Sequence, residues 1–285
     1  MKKVVFAIAL ALPLCAQVKI TPQGKDKVSV EIDGKPFTDF YIGADTPKPY
    51  LHPLRTADGK VDLAAPAPKA PDGKPDLSGV WESGNQYFND LAKDLKPGEL
   101  LMLPSAKSLQ ADREGRDHRD DPMNRCMPPG VPRINMTTAN GPHPLKIVQT
   151  PTLVVLLYET SANSTFRQVF LDGRTFPKDP NPTWLGYSIG RWDGGSLVVD
   201  TIGFNGREWV DTAKGHPQTV SAHVTERFTR RDVGHMDIDI TIDDPGAYEK
   251  PWQAHVPFHL LADTDLIETY CENEKDHVHE YSQEK

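Results

Sequence analysis

The chain has 285 residues, 38% of them hydrophobic and 25% charged, with 32 Lys and Arg against 40 Asp and Glu for a net charge of −8. That length suits one medium-sized domain with a substantial core, and the acidic balance excludes nucleic acid and anionic lipid as partners, since both require a concentrated basic face. The local cluster Arg227, Arg230 and Arg231 is offset by Asp232, Asp237 and Asp239.

Residues 1–17 read as a signal peptide: Met1-Lys2-Lys3 precedes Val4 to Leu12, an apolar run too short to span a bilayer as a stable helix. Export to the periplasm or medium is therefore expected, with no transmembrane segment in the mature protein. Cys15 offers a second fate, lipidation, although Leu12-Pro13-Leu14 ahead of it makes a poor lipobox. If Cys15 leaves with the signal, Cys126 and Cys271 remain. An even pair in an oxidising compartment favours a disulfide, with two buried thiols as the alternative.

Residues 18–45 hold Val28-Ser29-Val30-Glu31-Ile32, an alternating strand, followed by the turn pair Asp33-Gly34, which predicts a β-hairpin. Residues 46–75 are dominated by Pro, Ala, Lys, Asp and Gly and read as a linker. The main domain is expected over 76–272. It opens with Asp76-Leu77-Ser78-Gly79-Val80-Trp81, and Phe88, Leu91, Ala92 and Leu95 then follow helical spacing up to Pro97-Gly98. A second helix can lie in Ser105 to Asp121, and Pro122 to Pro132 reads as an extended connector carrying Cys126.

From there the pattern is strand after strand. Ile147 to Tyr158 and Thr165 to Leu171 come first. Three hairpins follow: Tyr187–Trp192 with Ser196–Ile202, Thr219–Arg230 with His235–Ile242, and Trp252–Leu261 with Leu266–Cys271. Their turns are Asp193-Gly194-Gly195, Asp232-Val233-Gly234 and Asp263-Thr264-Asp265. Residues 273–285 form a charged tail. The fold class expected is mainly β: an antiparallel meander closed as a barrel, with one or two short helices before it.

Gly79-Val80-Trp81 at the first strand of this meander resembles the Gly-x-Trp signature of lipocalins and related calycin barrels. More broadly, Asp72-Gly73-Lys74-Pro75 through Trp81, Asn181-Pro182-Thr183-Trp184-Leu185-Gly186-Tyr187-Ser188, Leu197-Val198-Val199-Asp200-Thr201 and His223-Val224-Thr225-Glu226-Arg227-Phe228 resemble a family of exported bacterial proteins of unknown function, over residues 72–285. That resemblance implies export and carries no activity. Residues 28–59, with Asp33-Gly34-Lys35-Pro36-Phe37 and Pro47-Lys48-Pro49-Tyr50, resemble the opening of the methane oxygenase PmoA-like family. Only the opening is present, so none of that family's function is carried over.

The second hairpin is the most informative segment for chemistry. Alternation puts Val224, Glu226 and Phe228 on one face and His223, Thr225 and Arg227 on the other, while Met236, Ile238, Ile240 and Ile242 form the apolar face of its partner. The apolar faces coincide in a paired ribbon, so Glu226 is expected inside. An acid there is protonated more readily and suits general acid or base work, with His216 or His223 nearby. A structural ion pair with Arg167 or Arg191 is the other reading. Asp200 and Glu268, each in an apolar run, are candidates to share an interior polar network with Glu226. Trp184, Trp192 and Trp209 offer flat surfaces for an aromatic or sugar-like ligand or serve packing, and the loop Gly203 to Pro217 carries Asp211 and His216.

No cofactor is expected. His277-Val278-His279 beside Glu280 could chelate a metal, but it lies in the tail, and no metal site is assigned. There is no Gly-x-Ser-x-Gly elbow, and neither remaining cysteine has a histidine partner, which disfavours serine and thiol hydrolases. Three functional classes remain. The first is an exported small-molecule-binding barrel. The second is a hydrolase, lyase or isomerase using Glu226. The third is an envelope interaction protein.

Overall fold

The computed structural model describes residues 17–41, 50–52, 60–136, 144–160, 165–267 and 271. It divides into two units, Met1–Asp62 and Leu63–Lys285. In the first, β1 (Val18–Gln23), β2 (Lys27–Ile32), β3 (Lys35–Tyr41) and β4 (Tyr50–His52) form an antiparallel sheet in that order. Asp33 and Gly34 both take positive φ, 51° and 78°, which is the geometry a two-residue hairpin requires between β2 and β3. The expected hairpin is thus the centre of a larger sheet, and β4 falls within the stretch read as linker.

The second unit is a closed barrel of nine strands, made of β5 (Gly79–Ser83), β6 (Leu145–Gln149), β7 (Leu153–Tyr158), β8 (Thr165–Phe170), β9 (Tyr187–Asp193), β10 (Ser196–Ile202), β11 (His223–Arg230), β12 (His235–Asp243) and β13 (Trp252–Leu260). Sequential strands are neighbours and β13 returns to pair with β5 through Leu260↔Trp81, so the mainly-β meander closed as a barrel that the sequence predicts is what forms. Closure removes the free edges that would otherwise invite pairing with another chain.

Two departures have physical reasons. The apolar run from Ile147 to Tyr158 is two strands, because Pro151 interrupts the ladder and the chain turns between Gln149 and Leu153. Strands β8 and β9 pair in parallel through only two positions, Val169↔Ser188 and Phe170↔Ile189, because residues 171–186 carry the chain back to the other end of the barrel first. The last expected strand does not begin at Leu266, since Leu266 and Ile267 are irregular; residues 268–270 lie outside the described residues. The linker reading also stops short of Pro75: the carbonyls of Leu63 and Ala65 accept from the amides of Gly234 and Val233.

Inward positions are apolar almost throughout. Trp81, Leu145, Ile147, Leu156, Val169, Leu197, Val224, Phe228, Ile238, Ile240, Val256 and Phe258 are all buried in one continuous core. Gly79 explains the Gly-x-Trp pattern locally: its φ is +145°, and a Cβ there would lie 2.6 Å from Leu260. Two residues on, the Trp81 indole donates to the Leu77 carbonyl at 3.0 Å and the Arg230 guanidinium lies 4.9 Å over its ring.

The connections β5→β6, β10→β11 and β12→β13 leave from the same end of the barrel. The first of these caps it, with α1 (Asn85–Asn89), α2 (Pro104–Gly115) and a 3-10 turn at Arg133–Asn135. The helical spacing seen through Leu95 gives only five helical residues followed by turns. The capping segment is tied to the other two loops: Arg113 donates to the Gly215 carbonyl at 2.8 Å, the Thr212 amide to the Phe88 carbonyl at 2.9 Å, and the Leu103 amide to the Ala247 carbonyl at 2.8 Å.

Candidate functional site

The inward alternation of β11 puts Glu226 at 0% exposure, in register with Val199 on β10 and Ile240 on β12. Its carboxylate is fully engaged. Oε2 accepts from Nη2 of Arg167 at 2.5 Å, and Oε1 accepts from the Asn135 side-chain amide. Arg167 also donates through Nε to Ser188 at 2.9 Å and through Nη2 to Thr201 at 2.6 Å. The Tyr158 hydroxyl donates to Asn135 at 2.7 Å, and burial raises its pKa. Burial acts to lower the Arg167 pKa, but Glu226 beside it outweighs this and leaves it raised. The result is a polar network of six side chains inside an apolar barrel, in which Arg167 is the member that spans from β8 to β11.

One part of this network is incomplete. Nη1 of Arg167 is enclosed yet has no hydrogen-bond acceptor, although the Tyr158 hydroxyl lies beside the guanidinium. Arg167 and Ser188 are the buried polar residues among those lining a cavity of about 460 Å³, with Phe166, Phe170, Trp184 and Tyr187 as its aromatic members. Its position follows from the topology: above the two parallel pairs, β8 and the approach to β9 diverge, leaving a slot in the barrel wall. Aromatic groups flank the slot, with Phe170 and Tyr187 stacked at 5.4 Å, Arg174 lying 3.8 Å over Phe170, and Arg207 5.7 Å over Trp184. Gly186 has φ +66°, and a Cβ there would lie 2.7 Å from the Ile202 carbonyl, so the chain entering β9 approaches β10 closely.

Asp200 and Arg191 do not join Glu226. The Cα partner of Asp200 on β11 is Thr225, so its side chain emerges on the opposite face. There Asp200 pairs with Arg191 and accepts from Thr225 at 2.8 Å, with His223 Nε2 at 3.0 Å. The hydrogen bond from His223, opposed by partial burial and helped by Thr225 and Arg191, holds the Asp200 carboxyl well below its usual range. The same contact raises the His223 pKa. A second cavity, of about 580 Å³, lies over this face, with Arg191, Val198, Thr225, Arg227, Asp239, Thr241, Gln253 and His255 beneath Leu91, Asp94 and Leu95.

His216 and Asp211 come together at the capped end, in the loop that leads from β10 into β11. A tight loop closed by the Val210 amide donating to the His216 carbonyl at 2.9 Å sets the His216 amide 3.1 Å from Asp211 Oδ1 and its Nδ1 2.5 Å from Oδ2. Asp211 is wholly buried, and the Leu91 amide donates to it at 3.1 Å. Asp90 completes a group whose possible metal-ligating atoms lie within 4.8 Å of one another, and partial burial together with the Asp211 charge raises its pKa. The tryptophans are dispersed. Trp184 lines the slot, Trp192 packs against the core, and Trp209 is buried 4.2 Å under Arg113. Cys126 and Cys271 are disulfide-bonded, with Cα atoms 5.7 Å apart. Glu268 and the histidines of the tail lie outside the described residues.

Several members of these clusters escape sequence reading. Asn135 sits in a segment without periodicity, Asp90 is a polar position within the short helical pattern around Phe88 and Leu91, and more than a hundred and twenty positions of chain separate Asp90 from Asp211, so neither carries a local signal. Tyr158 and Arg167 lie at alternating strand positions, and Arg167 was legible as an ion-pair partner but not as the wall of a cavity.

Together these features define a closed β-barrel, antiparallel except between β8 and β9, with a filled interior and a cavity beside that parallel pair. No family model and no curated protein sequence matches the chain. Among solved structures, it is similar to a protein described as "REP1-NXSQ fatty acid transporter", at 14% identity, covering 66% of this chain and 98% of that one with a TM-score of 0.31. A likeness that slight does not bear on the ligand.

Proposed function

We propose that the chain is an exported small-molecule-binding barrel whose ligand occupies the slot between β8 and β9. One observation carries this: a cavity of about 460 Å³ with Phe166, Phe170, Trp184 and Tyr187 in its walls has the buried polar side chains of Arg167 and Ser188 among its lining residues. Cavities of a few hundred Å³ with apolar walls and a small number of fixed polar groups are the usual form of ligand sites. The N-terminal basic and apolar segment, the disulfide and the resemblance of residues 72–285 to exported bacterial proteins support export. Glu226 in this reading holds Arg167 in place and does not touch the ligand. The test is tryptophan fluorescence titration with a panel of apolar and aromatic compounds. Binding is expected, weakened at least about tenfold in Trp184→Ala. A panel without a binder, or a Trp184→Ala variant that binds like the parent, would overturn the reading.

A second reading moves acid–base chemistry from Glu226 to His216, whose Nδ1 is held by Asp211 in the manner of a catalytic dyad. It predicts turnover abolished in His216→Ala and retained in Trp184→Ala.

A further inference from the structure

Among the described residues, three metal-ligating side chains converge where the end of α1 meets the loop from β10 into β11. Asp90 caps the helix, Asp211 and His216 lie on the loop, and one ligand atom from each falls within 4.8 Å of the other two. The backbone locks the two segments together, with the Thr212 and Ala213 amides donating to the Phe88 and Asn89 carbonyls at 2.9 and 2.8 Å. The three side chains are thus positioned by the fold itself.

Their charges are not balanced by any fixed cation. Asp211 is wholly buried, and its carboxylate accepts from the amides of Leu91 and His216, each at 3.1 Å. Its ion-pair partner is the His216 ring at 2.5 Å, which carries charge only when protonated. Among the described residues no lysine or arginine forms an ion pair with Asp211; Arg113 of α2 donates to the Gly215 carbonyl instead. Asp90 adds a second carboxylate to the same small space. Two carboxylates side by side, one of them out of water, are costly without a cation. A divalent ion removes that cost, because two carboxylates and a neutral imidazole around it sum to zero net charge.

The histidine also has a nitrogen to offer. His216 is 5% exposed, Nδ1 lies on Asp211, and Nε2 has no hydrogen-bond partner among the described residues. A carboxylate that orients the ring through one nitrogen is the usual companion of a metal-binding imidazole. Asp90 is only partly buried, which gives an ion its way in. Calcium and magnesium take oxygen ligands, whereas an imidazole beside carboxylates suits a first-row transition cation.

We propose that this corner of the barrel binds a divalent transition-metal cation of the zinc class, coordinated by Asp90 and His216, with the Asp211 carboxylate supplying the second negative charge. The ion joins α1 to the β10–β11 loop and is separate from any ligand of the slot, none of whose lining residues belongs to this group. In the metal-loaded chain His216 is a ligand and not a general base.

The full chain, with its disulfide intact and no polyhistidine tag, is stripped with EDTA and titrated calorimetrically with zinc chloride and, separately, calcium chloride at neutral pH. Zinc is expected to bind at least about tenfold more tightly than calcium. Zinc at about a hundredfold excess over its Kd is expected to raise the midpoint of thermal unfolding by about 5–10 °C. Asp90→Asn keeps an oxygen for the Ala92 amide that Asp90 holds at 3.0 Å, so it is expected to fold like the parent and lose at least about tenfold in zinc affinity. A His277→Ala, His279→Ala variant, without the tail's own chelating pair, is expected to keep one zinc per chain. A parent that does not bind zinc, calcium binding as tight as zinc, parent-like zinc affinity in Asp90→Asn, or loss of zinc binding in the tail variant would each overturn the site.

Discussion

Glu226 and Arg167 show how a single pair can order a barrel interior. Both are buried, and further hydrogen bonds fix their orientation, one to Glu226 from Asn135 and two from Arg167 to Ser188 and Thr201. Replacing such a pair with apolar groups can be neutral, but removing one partner leaves an uncompensated buried charge. Glu226→Gln is therefore expected to lower stability by about 3–5 kcal/mol, measured by urea unfolding, with the slope of the transition unchanged. A loss under about 1 kcal/mol would show that Arg167 finds another counter-ion. The inward direction of Glu226 was legible because alternation leaves no choice once Val224 and Phe228 are placed in the core. Its lack of a free oxygen was not legible: Asn135 arrives from a capping segment whose sequence has no period.

At the scale of elements, the strands were readable and the seams between them were not. Hydrophobic alternation and turn pairs located β9 to β13 closely, because each hairpin carries its own signal. The slot depends on β8 and β9 running parallel, a property of the whole connection from 171 to 186, and no residue in it announces that direction. The outward clasp of Asp200 with His223 joins β10 to β11 across the same wall. With the His223 pKa raised by Asp200, protonated His223 stabilises the folded state fully below its unfolded pKa of about 6.5, and that contribution is lost as pH rises through the folded value. Asp200, being depressed, contributes above its own unfolded value and loses this as pH falls through the folded one. An NMR titration of the His223 ring should show a midpoint above the ordinary histidine value, returning toward it in Asp200→Asn. An unchanged midpoint in that variant would show that the two side chains are not coupled in solution.

At the scale of the molecule, one covalent link spans most of the barrel sequence. Cys126 and Cys271 are 145 positions apart, and closing a loop of that length stabilises the fold by about 5 kcal/mol in the chain-entropy account. The Cys126→Ser, Cys271→Ser double variant is expected to lose stability on that order in chemical denaturation, while reductant brings the parent to the same midpoint. A parent indifferent to reductant would mean the bridge does not form in the isolated protein. The pairing was legible from counting cysteines once Cys15 was assigned to the expected signal segment. What counting could not give was that the bridge joins the capping segment to the chain just beyond the last strand.

That placement decides how the molecule bears a pull. Tension applied at the carboxyl terminus meets sulfur at residue 271 before it reaches β13, and passes to Cys126 between the capping helices and β6. The last strand cannot be peeled from its neighbour by tugging on the tail. Force enters through the cap, and β6 to β13, which lie inside the loop that the bridge closes, stand off its direct line.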